Sequence, residues 1–214
     1  MPQPKNPKIY HIIHTDRLRS VIKDGGLFCD AEMNKRDTSG STIGMSRIKE
    51  RRLSLPVACH SGDYVGDYVP FYFCARSVML YVIQCANNPD LEYTGGQEPI
   101  IHLEADLKSV IEWANAHNKR WAFSLSNAGA SYTEFRSRVD QLNELKWNFI
   151  ASTDFRPRDI QEGKQAEFLF HHYFPLELFE RIGVMSAAVA QQVANMMITL
   201  PHKPKIEIQR NWYY

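Results

Sequence analysis

A carboxylate held inside an apolar run is the first group in this chain whose type and setting could do chemistry. In Lys164-Gln165-Ala166-Glu167-Phe168-Leu169-Phe170, an extended backbone would put Ala166, Phe168 and Phe170 on one face and Gln165, Glu167 and Leu169 on the other. An acid fixed there can steady a developing positive charge or take up a proton. On pattern alone, such an acid more often sits on an edge strand, solvated or paired with a lysine. A second group is cationic. If residues 43–55 form a helix, Ile43, Ile48 and Leu53 make its apolar side and Arg47, Lys49, Arg51 and Arg52 occupy the remaining surface. A basic helix face is usually just solvated. His11 sits in the apolar run Ile9-Tyr10-His11-Ile12-Ile13-His14 and has the ordinary fate of a hydrogen-bonded core histidine. Neither it nor His14 has a further His or Cys at metal-ligand spacing. The chain has no GxxxxGK[ST], GxGxxG, HExxH or GxSxG, so phosphoryl transfer, nicotinamide redox, zinc proteolysis and serine hydrolysis lack a signature.

The elements that must position these groups alternate between strand and helix. Residues 9–14 read as a strand, and Thr15 or Asp16 can cap a helix that runs to about Lys23 and stops at Gly25-Gly26. Residues 30–44 turn polar and read as a loop, residues 56–66 as another, and residues 67–73 as a buried aromatic strand. Residues 76–83 are apolar, with Met79 in their centre, and Tyr72 and Met79 are most simply core residues. Strand spacing recurs at 98–103 and 121–125, and helical spacing at Leu107, Val110, Ile111 and Ala114. Phe135, Val139, Leu142 and Leu145 also fit a helix, one ending at Trp147. Asn127 to Tyr132 is a small-residue loop, and a surface tyrosine there needs no partner. Residues 154–163, with Pro157 and Gly163, read as a long loop leading into the Glu167 strand. Residues 182–185 form a strand, 187–197 a helix, and 205–209 a closing strand by period-two alternation. The pattern is that of one α+β domain without repeats or linkers.

Size and charge set further bounds. With 214 residues the chain fits one domain with a real core. Apolar residues make up 44% and charged residues 23%, which is ordinary for a soluble globular protein. Twenty-five Lys and Arg against 24 Asp and Glu give a net charge of +1, so any polyanion must bind at a local patch. No apolar run is long enough to cross a bilayer and the N-terminus is polar and proline-containing, which points to a cytosolic protein. Cys29, Cys59, Cys74 and Cys85 show no paired spacing and read as reduced thiols.

Four blocks carry a resemblance: Ile48-Lys49-Glu50-Arg51-Arg52, Tyr68-Val69-Pro70-Phe71-Tyr72-Phe73, Gly95-Gly96-Gln97-Glu98-Pro99-Ile100 and the run around Glu167. Together they resemble the DarT family, the NAD-dependent DNA ADP-ribosyltransferase toxins of DarTG toxin–antitoxin systems. The likeness extends from Ile9-Tyr10-His11 to Asn211-Trp212-Tyr213-Tyr214. It implies one ADP-ribosyltransferase-like domain over residues 1–214, with a central mixed or antiparallel sheet flanked by helices. NAD would be consumed as co-substrate, with no metal, and ADP-ribose passed to a base, typically thymine, in single-stranded DNA; another acceptor, or a non-catalytic DNA-binding relative, is the alternative. Glu167 would be the catalytic carboxylate and Arg52 the catalytic cation, with Arg51 in its place if the register slips by one. His11, Ile13, Tyr72 and Met79 would line the NAD pocket, an imidazole N–H of His11 holding a ribose hydroxyl. Residues 30–44 would close over NAD. Arg47, Arg76, Tyr132 and Lys164 are the candidate DNA contacts, Tyr132 by stacking on an unpaired base, although the family can have a histidine at that position. The expected partner is a macrodomain antitoxin that removes the mark, and the expected state is a monomer.

Overall fold

The computed structural model describes residues 3–36 and 40–214, so Asp37, Thr38 and Ser39 of the expected polar loop lie outside the described residues. The first strand, β1 (Lys8–His14), buries Ile9, Ile12 and Ile13. Helix α1 (Leu18–Asp24) follows a single 3-10 turn and stops at Gly25, whose φ of 73° is the left-handed conformation glycine adopts without strain. The helix start differs from expectation. The His14 side chain accepts from Asp16 N–H, while the Asp16 carboxylate is taken by the backbone N–H and hydroxyl of Ser41. A short strand β2 (Gly26–Phe28) and a single turn α2 (Asp30–Met33) precede α3 (Ser46–Arg52). Helix α3 is shorter than residues 43–55 because Met45 enters it in an extended conformation and Leu53 closes it.

Strand β3 (Tyr68–Tyr72) leads to α4 (Val78–Cys85), capped by the Ser77 hydroxyl on Leu80 N–H. Strand β4 (Ile100–Asp106) runs straight into α5 (Leu107–Ala116), where the side chain of Asp106 caps Ser109 N–H. After β5 (Trp121–Asn127) the expected helix at 135–147 is absent. Phe135 belongs instead to a two-residue strand, β6 (Phe135–Arg136), followed by a 3-10 turn and the short α6 (Trp147–Ile150). Leu142 and Leu145 are buried as the helical spacing demanded, but from a turn that Trp147 Nε1 fastens to the Leu142 carbonyl at 3.0 Å. The expected loop at 154–163 is also corrected, since residues 158–164 form α7 (Arg158–Lys164). Pro157 stands just before its first turn, and Gly163 is there for packing, because a Cβ on it would meet Phe149 at 2.9 Å.

The chain ends through β7 (Ala166–His171), β8 (Tyr173–Pro175), β9 (Arg181–Val184), α8 (Ala187–Met196) and β10 (Lys205–Ile208). Among the described residues eight strands form one sheet in the order β10-β9-β4-β1-β3-β7-β5-β6, and β2 pairs with β8 apart from it. Each neighbouring pair is antiparallel except β9–β10, so the sheet is mixed, as expected. Glu167 is therefore not on an edge, since β7 lies between β3 and β5. Phe168 and Phe170 point into the main core with Phe71, Phe123 and Phe174, and each fully buried side chain of that size stabilises by roughly 1.5–3 kcal/mol.

Candidate active site

The sheet is loosest between β1 and β3. β1 is registered with β4 along its length, from Lys8 opposite Asp106 to His14 opposite Ile100, whereas its registered pair with β3 is Tyr10 opposite Tyr72. Pro70 contributes to this, because it has no N–H to give to a ladder. Its carbonyl takes the Nδ1 of His11 at 2.7 Å instead. A cleft of about 310 Å³ opens at this place, between β1, α1, α3 and α4, with Glu167 in its wall.

All six residues expected at the NAD and reaction site, His11, Ile13, Arg52, Tyr72, Met79 and Glu167, line this one cleft. Arg52 from the end of α3 meets Glu167 from β7 in a fork. Nη1 lies 3.2 Å from Oε1 and 3.0 Å from Oε2, and Nη2 lies 3.0 Å from Oε2. Both residues are almost shut off from water, 6% and 5% exposed. Burial works against the charge on Arg52, but the facing carboxylates of Glu167 and Asp30 hold its guanidinium above its ordinary pKa. Among the described residues Arg52 Nε finds no hydrogen-bond partner although it is buried. A buried donor left unmade costs about 1–3 kcal/mol, which the fork to Glu167 has to offset. Helix rotation of about 100° per residue separates the two neighbours: Arg52 turns inward to Glu167 and Arg51 stays at the surface.

Tyr72 packs beside this pair as a neutral phenol, its pKa raised by burial first and by the Glu167 charge second. Burial lowers the pKa of His11, so its imidazole is neutral. A carbonyl can only accept, so Nδ1 must carry the proton that reaches Pro70, and Nε2 keeps a lone pair. The expected imidazole N–H for a ribose is thus already spent on the backbone. Above the cleft, Ser41 and Thr42 of the expected closing loop line its rim, held by Arg17, whose Nε donates to the Ser41 carbonyl at 2.8 Å and whose Nη2 donates to the Thr42 hydroxyl at 3.0 Å.

The four expected DNA contacts are scattered. Tyr132 is 63% exposed and lines a shallow polar depression with Arg51, Arg158 and Glu162, which shares Asn127 and Gln165 with the cleft. The other three do not reach either hollow. Arg47 is exposed and faces Asp90 at 3.3 Å, and the Arg76 guanidinium lies over the Tyr214 ring, 4.3 Å from its centroid. Lys164 is only 3% exposed, because its ammonium donates to the Ile150 carbonyl at 2.8 Å and ties α7 to α6. Sequence reasoning missed Asn127 and Gln165, whose side-chain amides join at 2.6 Å on the ridge between the two hollows. Alternation had already put Gln165 on the face of Glu167, which was the available signal. Among the described residues no group of three or more His, Cys, Asp or Glu side chains gathers as a metal site.

Comparison with known proteins agrees with this geometry. A sequence profile described as "ssDNA thymidine ADP-ribosyltransferase, DarT" matches residues 10–214. A DNA ADP-ribosyl transferase from Thermus sp. (strain 2.9) is 34% identical over 99% of this chain and 98% of its own length. Two solved structures of Thermus sp. 2.9 DarT share the fold. One, in complex with ADP-ribosylated ssDNA, has a TM-score of 0.90 at 33% identity over the whole of both chains. The other, in complex with NAD+, has a TM-score of 0.82 at 31% identity over 99% of each chain. With the profile spanning residues 10–214 and a DNA ADP-ribosyl transferase 34% identical along almost the whole chain, this protein belongs to the DarT family of single-stranded-DNA thymidine ADP-ribosyltransferases.

Proposed function

We propose that this chain transfers ADP-ribose from NAD to a thymine base in single-stranded DNA, with Glu167 and Arg52 as the reacting pair. The observation that carries the reading is the buried Arg52–Glu167 fork, open on one cleft and keeping an unspent guanidinium N–H. A buried ion pair is a poor way to gain stability, so its place in a cleft speaks for chemistry.

The bond that breaks joins nicotinamide to the ribose carbon. Nicotinamide leaves neutral with the bonding electrons and the sugar becomes a cation. Glu167 steadies that cation and holds a ribose hydroxyl, while His11 Nε2 accepts from another hydroxyl. The thymine ring nitrogen is a poor nucleophile until it loses its proton. Arg52 favours the anion by donating to a base carbonyl, and Glu167 takes the proton as the new carbon–nitrogen bond forms. Base pairing hides that nitrogen in a duplex, which accounts for a single-stranded substrate. Ile13, Tyr72 and Met79 give the nicotinamide end its apolar wall, and Ser41 and Thr42 close over the dinucleotide. The strand of DNA runs along the polar depression, with Arg51 and Arg158 near its phosphates and Tyr132 beneath an unpaired base.

The whole chain acts as one catalytic domain and as a monomer in the cytoplasm, where it is a toxin countered by a macrodomain protein that removes the mark. Its first and last strands lie in one sheet, which supports a single unit. Incubation with NAD and a panel of single-stranded oligonucleotides tests the reading. The expected result is a mass increase of one ADP-ribose on thymine-containing strands and none on duplexes. Label transferred from NAD to protein or RNA in an extract, with no DNA adduct, overturns it.

A further inference from the structure

β5 and β7 fall out of step beside Glu167, and one side chain bridges the gap. Their register runs Trp121–Phe170, Ala122–Leu169 and Phe123–Phe168, then jumps to Asn127–Ala166. Regular antiparallel pairing would set Leu125 opposite Ala166, so β5 carries extra chain across from Glu167. That chain is taken up by its outer neighbours, where Ser124 pairs with Phe135 and Leu125 N–H donates to the Glu134 carbonyl at 3.0 Å. The amide of Glu167 meets a side chain in this gap. Its N–H donates to Ser124 Oγ at 2.9 Å, and the fully buried hydroxyl donates its own proton to the Ser126 carbonyl at 2.6 Å. A hydroxyl has one proton, so committing it to Ser126 aims a lone pair at Glu167. Ser126 is steadied in turn by a 2.9 Å contact between its hydroxyl and that of Thr133.

We propose that Ser124 is a positioning residue for the transfer: its hydroxyl takes the part of a strand carbonyl and holds the Glu167 main chain where the carboxylate meets Arg52 and the cleft. The proposal rests on the reading of Glu167 as the reacting acid. Without the hydroxyl the bulge leaves a buried N–H unmade, and the backbone shifts to find an acceptor. A displacement of about 1 Å at a reacting group can cost roughly a hundredfold in rate.

Ser124→Ala removes the acceptor, and Ser124→Cys refills the space with a poor one. Rates are taken per folded molecule, with the folded fraction read by circular dichroism. Both variants are expected to lower kcat for transfer to a single-stranded oligonucleotide by about ten- to a hundredfold. KM for NAD should rise far less than kcat falls, because Ser124 itself lies outside the cleft and, of the contacts to the dinucleotide, only that of Glu167 to a ribose hydroxyl is disturbed. Full kcat in Ser124→Cys overturns the proposal, since filled space without the hydroxyl would then suffice. Loss that follows the folded fraction alone, or a raised KM at unchanged kcat, overturns it as well. Glu167→Gln is measured alongside to separate the two layers. Full transfer by Glu167→Gln sinks the site reading and this proposal with it, whereas an inactive Glu167→Gln beside an unimpaired Ser124→Cys sinks the positioning role alone.

Discussion

Two carboxylate–guanidinium pairs flank β7, and they are built to different ends. Near its start Glu167 faces Arg52, and past its far end Asp63 faces Arg120, beside His171. Asp63 is saturated. The Tyr68 hydroxyl donates to it at 2.6 Å, the Arg120 fork at 2.8 and 2.9 Å, and His171 stands 3.7 Å away. Burial pushes the Asp63 pKa up, but the hydrogen bonds from Tyr68 and Arg120 outweigh it and hold the carboxyl below its ordinary value. The Glu167 pair is more deeply buried, yet it opens on a cleft and Arg52 keeps a spare donor. The same two chemical groups make a half-exposed clasp closed by neighbouring side chains at one end of the strand and a buried pair that opens on a cleft at the other.

Substitutions at the two pairs should separate these roles. The largest effect is expected at Glu167: Glu167→Gln keeps shape and loses charge, and transfer measured by oligonucleotide mass should fall about a thousandfold. Arg52→Lys keeps the charge and loses the planar fork, so kcat should fall about a hundredfold, while Arg52→Ala strands a buried carboxylate and should cost roughly 3–5 kcal/mol in urea unfolding. Next comes Tyr132→Ala. Losing one stacked base is worth roughly 1–3 kcal/mol, so KM for the oligonucleotide should rise by about fivefold to a hundredfold with KM for NAD unchanged. An unchanged oligonucleotide KM would move the DNA away from the polar depression.

At the second pair the order of effects reverses. Asp63→Asn should lower unfolding stability by about 1–2 kcal/mol and leave kcat intact, and a loss of kcat would erase the distinction between clasp and centre. The smallest effect is on acid stability. Burial, and after it the charges of Arg120 and His172, lower His171 from 6.5 to about 4. Between those values the unfolded chain binds a proton that the folded chain refuses, so stability falls as pH drops through that window. His102, lowered by burial to about 4, adds a slope of the same sign. Melting curves from pH 7 to 4 should therefore shift downward, and His171→Gln should flatten part of the slope.

The cleft was legible mainly through the resemblance, since pattern alone left His11, Tyr72 and Met79 as core residues, Arg52 on a solvated face and Glu167 on an edge. Alternation about Glu167 put Gln165 and Leu169 on its face, and all six expected cleft residues meet. The four candidate DNA contacts do not gather in one place, and the reasons differ by residue. Lys164 carries a charge that usually means surface, but its ammonium closes the end of α6 on the Ile150 carbonyl. Arg76 looked free until the Tyr214 ring came to lie under it. Gly163 and Pro157 looked like loop signals, yet one stands before a helix and the other lets two helices touch. In each case the deciding neighbour is distant in sequence or the residue has more than one common use.

From sequence alone came the fold class, most of the strands and helices, and the carboxylate and cation worth watching, because side-chain alternation, helical spacing and residue chemistry are local properties of the chain. Tertiary structure alone decided which arginine of the adjacent two turns inward, that Glu167 lies in the middle of the sheet, and that the His11 N–H is used by Pro70. It also decided that a serine of β5 serves the backbone of β7. Those outcomes depend on long-range registers and on the sharing of single donors and acceptors, which a linear pattern does not encode.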